Sequence, residues 1–198
     1  MRVRTLLVSM CFFLGLLACR EDFSAKAPHL EPSFHDSVLQ AVIEIPVGFQ
    51  QWSAYDAGLG RVVETGEKLK LPLPGNWGFV PSTQYTTGQG TEPLDVMVLS
   101  GAIPPGEQLG ILPVGVVVLQ KEGVVNPLII AIPADPALQT ISIRGFNELS
   151  IQYEGIKRLL EDWIVQVFAD SSARVLDWKN EQYAGTLVLR NQRPRSDN

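Results

Sequence analysis

The sequence predicts a mainly β domain with helices packed on it, an α+β fold whose strands close into a sandwich or barrel. Three observations carry this. Short runs rich in β-branched residues recur from Leu39 to Ile132, separated by Gly and Pro. Leu128–Ile132 is continuously apolar, the pattern of a strand buried on both faces. Tyr153–Phe168 alone carries a clear helical stripe.

The elements follow in order. Leu39–Ile45 and Leu94–Leu99 are compact strand runs, and Leu109–Leu119 is longer, broken by Pro113 and Gly115. Pro74-Gly75 and Pro104-Pro105-Gly106 mark turns. In the helical segment, Ile156, Leu159, Leu160, Trp163, Ile164 and Val167 recur at three- and four-residue spacing, a face for docking on a sheet. Val175–Trp178 reads as a last strand, followed by a weaker helix around 180–190.

Ahead of the first strand, Arg2 and Arg4 precede an apolar run from Leu6 to Leu17 that ends Leu16-Leu17-Ala18-Cys19. A basic start and an apolar core too short to span a bilayer make an export signal over residues 1–18. Its ending resembles the bacterial lipobox, in which the Cys is acylated. This implies lipidation of Cys19, a membrane partner and an envelope location facing the periplasm or exterior. An ordinary secretory signal or an uncleaved anchor are the alternatives. Residues 19–38 lack periodicity, contain Pro28 and Pro32, and read as a tether; the domain proper is 39–198. His29 and His35, the only histidines, fall in the tether, where a metal would find no fixed geometry.

At 198 residues and 45% hydrophobic, the chain is long enough for one domain with a core. Cleavage before Cys19 removes Cys11, Arg2 and Arg4. The basic residues then fall from 16 to 14 and the formal charge from −5 to −7. One cysteine remains, so disulfides, thiol catalysis and Cys-based zinc sites drop out. The acidic balance and the absence of a basic stripe exclude nucleic acid as a partner.

A frame of motifs runs through the strands: Val42-Ile43-Glu44-Ile45-Pro46, Asn76-Trp77-Gly78-Phe79-Val80-Pro81, Thr91-Glu92-Pro93-Leu94-Asp95, Pro113-Val114-Gly115-Val116 and Ile130-Ala131-Ile132-Pro133. It resembles the family I soluble inorganic pyrophosphatases over about residues 39–190. The resemblance implies a small OB-like β-barrel with helices outside, Mg²⁺ as cofactor, and assembly into homo-oligomers as an option. Such hydrolysis rests on metal ions held by carboxylates, with Lys, Arg and Tyr on the remaining phosphate oxygens.

The reactive positions are mostly replaced. The family's Asp-x-Asp-Pro-x-Asp reads Gly90-Thr91-Glu92-Pro93-Leu94-Asp95 here, keeping Asp95, changing the middle Asp to Glu92 and losing the first. In an ungapped match the family's Asp-Glu pair, Asp and Lys fall on Lys121, Glu122, Asn126 and Leu128. Glu44 matches the Glu of the first strand, while the Lys-x-Glu after it falls on Ser53-Ala54-Tyr55. The family Arg has no counterpart in register between 64 and 70, where Lys68 and Lys70 are the nearest cations. Leu73, Trp77 and Trp163-Ile164 stand where the family has Tyr, Tyr and Tyr-Lys.

Asp95, Glu92 and Glu122 are thus the candidate metal ligands, Glu44 is a residual acidic position, and Asp95 is the residual catalytic one. Their alternative is ordinary solvated carboxylates at strand ends. Lys121 either neutralises Asp95 and Glu122 in place of a metal or points to solvent. Trp77 and Trp163 either floor a ligand pocket or fill the cleft as core. These substitutions predict an exported, lipid-anchored, catalytically degenerate relative with a binding or structural role. The rival is an active Mg²⁺-dependent diphosphatase working with the remaining carboxylates, and a third class is a barrel that binds a sugar or oligomer.

Overall fold

The computed structural model describes residues 34–35, 38–87, 90–168 and 172–193. Residues 1–18, which the sequence predicts to be an export signal, lie outside them, as do Cys19 and His29. Five strands build the central element: β2 (Val38–Ile45), β5 (Asn76–Thr87), β6 (Gly90–Val98), β7 (Gln108–Lys121) and β8 (Val124–Pro133). They bond in the order β2-β5-β6-β8-β7, and β7 returns to β2, which closes a barrel and removes its edges. All these pairs are antiparallel except β6–β8, where Asp95 lies beside Leu128. Outside the ring, β1 (Phe34–His35) pairs with the start of β2 and β9 (Arg174–Lys179) with β7. His35, placed by the sequence in the tether, is thus already strand, paired with Val38.

Both faces of the barrel wall are buried, which is why its strands read as unbroken apolar runs. Leu94, Val96 and Val98 join one apolar layer with Ile43, Ile129 and Ala131, while Met97 and Leu99 join another with Ile45, Leu128 and Ile130. The close meeting of β2 and β5 requires Gly78. A Cβ there would lie 1.9 Å from the Val42 carbonyl oxygen, so any side chain forces the strands apart.

Among the described residues three α-helices cover the wall. The first layer takes Ala184, Leu187 and Val188 of α3 (Glu181–Arg190), whose N-terminus is capped by Asn180 accepting from the Tyr183 N–H. The second takes Leu149 of α1 (Phe146–Ile151) and Leu160, Trp163, Ile164 and Val167 of α2 (Glu154–Val167). The buried stripe of α2 is narrower than the sequence predicts: Leu159 is 54% exposed, because offset three lies at the margin of the docked arc. Among the described residues no helix is long and apolar enough to cross a membrane.

A hairpin of β3 (Gln51–Asp56) and β4 (Arg61–Lys68) stands apart as a two-stranded sheet beside β2. No strand signal in the sequence marks these residues. None of the six β3 residues is fully buried and most of β4 is exposed, so neither strand carries the apolar run that signals a strand.

Candidate functional site

Asp95 lies on β6 between Phe79 of β5 and Leu128 of β8. It shares the strand face of Met97 and Leu99, so its carboxyl sits at the rim of the second apolar layer. Its own surface is only half-buried, yet protein surrounds it densely. That burial pushes its pKa from 3.8 up to about 8, and the nearby charges of Glu44 and Glu92 push the same way. The Lys121 ammonium opposes the shift without cancelling it.

Glu44 sits at the irregularity between Ile43 and Ile45 of β2. Its Oε1 accepts the Tyr55 N–H at 2.7 Å, which ties the β3–β4 hairpin to the barrel. Tyr55, in the place of a family Glu, sets its ring 5.7 Å from Phe79. Burial raises the Glu44 pKa to about 7; the Tyr55 N–H works against this and Glu92 adds to it. Glu92 is exposed on β6 opposite Tyr85. Glu44, Glu92 and Asp95 therefore feel one another's charge, as the family frame implies.

Glu122 is not among the charges that shift Asp95 or Glu44. It is exposed on the turn between β7 and β8 with φ 53°, and Gly123 follows at 81°, the left-handed pair of a tight hairpin. The register runs from Lys121↔Val124 at the turn to Val117↔Leu128 beside Asp95. Four residues, about 13 Å of strand, thus separate the tip from the Asp95 row. The sequence grouped Glu122 with Asp95 by motif, and the hairpin turn separates them. Lys121 lies half-buried, with Nζ 5.1 Å from the Phe168 ring centroid and its field on Asp95, so it faces the cup.

The neighbouring cleft is filled. Leu73, Trp77 and Leu128 are 2%, 4% and 1% exposed and belong to one apolar layer with Trp163. Trp77 also meets Trp52 at 5.7 Å, and Trp163 Nε1 donates to the Pro72 carbonyl at 2.8 Å. Both tryptophans are core. Ser53 and Leu128 hold two positions where the frame implies a phosphate-binding Lys.

A model of the inorganic pyrophosphatase family matches residues 41–193. The chain belongs to the inorganic pyrophosphatase family. It is 31% identical to the inorganic pyrophosphatase of Mesorhizobium japonicum over 156 residues, covering 76% of this chain and 86% of that one. The Bradyrhizobium diazoefficiens inorganic pyrophosphatase is 27% identical over 157 residues, covering 76% and 85%. Among solved structures, the inorganic pyrophosphatase from Thermus thermophilus superposes with a TM-score of 0.71 over 83% of this chain and 95% of that one, at 24% identity. The Helicobacter pylori inorganic pyrophosphatase gives 0.68 at 26% identity, covering 82% and 96%. The small five-stranded barrel with few helices is the pyrophosphatase fold.

The residues present do not fit the Mg²⁺ set this family implies. Among the described residues no three His, Cys, Asp or Glu side chains are grouped to hold a metal ion. Mg²⁺ takes carboxylates and water in near-octahedral array, and at Asp95 it would meet the field of the Lys121 ammonium.

The carboxyls make stability pH-dependent. Both pKa values are raised, from 4.5 to about 7 and from 3.8 to about 8, so the native state binds more protons than the unfolded chain. Their contribution is complete below about pH 4 and is lost as pH rises through about 8. Asp95→Asn should therefore have a Tm above the parent's at about pH 9, with the difference shrinking by about pH 5. Melting curves at the two pH values measure it, and a difference that stays flat would reject the shift.

Proposed function

We infer that this chain is an exported, lipid-anchored pyrophosphatase-family domain that does not hydrolyse pyrophosphate and serves a binding or structural role at the envelope. The observation that carries this reading is the state of the cup. Two half-buried carboxyls carry raised pKa values, the Lys121 ammonium acts on one of them, Asp95, and Leu73, Trp77 and Leu128 fill the adjoining cleft. Positioning and electrostatic stabilisation of phosphate oxygens supply most of phosphoryl-transfer catalysis, and the side chains for both are replaced.

A second reading, an active Mg²⁺-dependent diphosphatase, has the stronger support from the comparisons. The matching family and the relatives cited above all bear the name inorganic pyrophosphatase. Glu44, Glu92 and Asp95 are also near enough to share a field, a remnant on which a cation can act.

One experiment separates the two. The protein in detergent is expected to release no phosphate from pyrophosphate above a metal-only control. It should show no rise in Tm with Mg²⁺ at about millimolar concentration, since a ligand that binds the native state must raise its stability. Mg²⁺-dependent turnover, growing with pH as protons leave the two carboxyls, would establish the hydrolase instead.

The anchor rests on the Leu-Leu-Ala-Cys ending. Cys19→Ser is expected to shift the protein from the membrane fraction to the soluble fraction, or to leave its signal uncleaved. Normal processing with unchanged membrane partition would remove lipidation from the reading.

A further inference from the structure

We propose that the cleft beneath the β3–β4 hairpin binds one neutral, hydroxyl-rich ring, such as a single sugar residue. This names a ligand for the binding role inferred above and rests on that reading. The cleft is separate from the filled one and holds about 180 Å³. Its walls are the hairpin, the end of β2 at Glu44, and Pro105. Ser53 pairs with Glu64 and Tyr55 with Val62, so these four share one hairpin face, and the tilted contact of the Tyr55 ring with Phe79 shows that this face turns toward the barrel. The opposite wall is fixed. Gly106 donates its N–H to the Ile43 carbonyl, Ile43 donates to Glu107, and Asn76 accepts from Ile103.

Size narrows the ligand. At about 30 Å³ per water, the space equals about six waters, well below the roughly 300–1,000 Å³ of a drug-sized pocket. It suits one ring with an edge left in solvent.

Chemistry narrows it further. Pyrophosphate would meet Glu44 and Glu64 against the one cation, Arg61. A divalent cation would meet Arg61 and no trio of metal-type side chains among the described residues. A wholly apolar molecule would desolvate Glu44, Ser53 and Glu64 without replacing their hydrogen bonds. Hydroxyl groups both donate and accept, which matches what the walls offer. The side chains of Arg61 and Glu64 make no ion pair or hydrogen bond among the described residues, and Glu44 uses one oxygen on the Tyr55 N–H. A Glu64 carboxylate can accept from two neighbouring hydroxyls, Ser53 can donate and accept, and Arg61 donates. Phe49, 55% exposed in the wall, supplies an apolar surface for the C–H face of a sugar.

Saturation-transfer NMR on the full chain, in a detergent without a sugar headgroup, tests this with D-glucose and N-acetyl-D-glucosamine. Transfer to at least one of them is expected, with a Kd on the order of millimolar for so small a ligand. Glu64→Ala and Phe49→Ala alter exposed side chains, so their melting curves should match the parent's while each weakens binding about tenfold. No transfer to either sugar overturns the proposal, as does transfer that both variants leave unchanged. Tighter binding of glycine or pyrophosphate than of the sugars overturns it too. Phosphate release is read separately. Its appearance removes the non-hydrolytic reading, whereas absent transfer with absent release removes only the sugar.

Discussion

Trp163→Ala is expected to lower the unfolding free energy by about 3–5 kcal/mol, the range for truncating a large aromatic ring in a packed core. The ring is 6% exposed and sits where α2 meets the barrel layer of Trp77, Leu128 and Ile130. It also has a polar tie, since Nε1 donates to the Pro72 carbonyl at 2.8 Å and holds the segment before β5 against the helix. Phe168 meets the ring edge-on at 6.1 Å, and Lys121 rests on Phe168, so the loss spreads toward the acidic cup. In a domain of this size each kcal/mol moves Tm by about 2–4 °C. Denaturant titration measures the loss. Trp163→Phe keeps most of the packing and drops the hydrogen bond, so it should cost about 1–2 kcal/mol. A loss of a few tenths for the alanine variant would mean that the ring is not buried.

The barrel was legible where burial is two-sided. Leu128–Ile132 and Leu94–Leu99 announce themselves because both faces of the wall are dry. The stripe of α2 is legible because one face is dry. The β3–β4 hairpin was not legible: a two-stranded ribbon with one face on the barrel alternates too weakly to separate from a loop. Pro113 and Gly115 read as a break, yet β7 runs through them as one strand. The register shift between the two residues absorbs the proline, which is where a sheet tolerates one.

For the site, the frame placed Glu44, Glu92 and Asp95 within reach of one another, because strand pairing preserves register even when chemistry changes. What spacing did not show is the sign of the environment. Phe79, Leu128 and Tyr55 come from three other strands, and only their convergence makes the carboxyls of Asp95 and Glu44 hold protons near neutral pH. The hairpin cleft rests on similar long-range closure, with Pro105 brought opposite Ser53 and Glu64. No local motif marks it.

Asn76→Leu is expected to destabilise the domain by about 3–5 kcal/mol, although leucine is of similar size and apolar like its surroundings. Asn76 is 0% exposed at the start of β5. Its Oδ1 accepts from the Val47 N–H at 3.1 Å and the Ile103 N–H at 2.9 Å. Its Nδ2 faces three acceptors, the carbonyls of Val98 and Gly101 and the Ser100 hydroxyl, at 3.2, 2.9 and 3.0 Å. Two N–H bonds serve these three acceptors, so one is shared. The amide thus joins the exit of β2, the exit of β6 and the loop into Ile103. Leucine would leave two main-chain donors without partners, the Ile103 N–H buried and the Val47 N–H partly buried, each costing up to about 1–3 kcal/mol. Asn76→Asp keeps the acceptor but aims a carboxylate at three oxygens, so it should be no better and should improve on acidification as the carboxyl takes a proton. Because the Ile103 N–H helps to hold the Pro104–Gly106 turn, both variants should also lose protection from hydrogen exchange at Ile103 and Gly106 before the barrel strands lose theirs. Equal loss of protection throughout the barrel would mean that Asn76 supports the fold as a whole rather than this wall of the cleft, and a cost below about 1 kcal/mol would mean that solvent replaces its bonds.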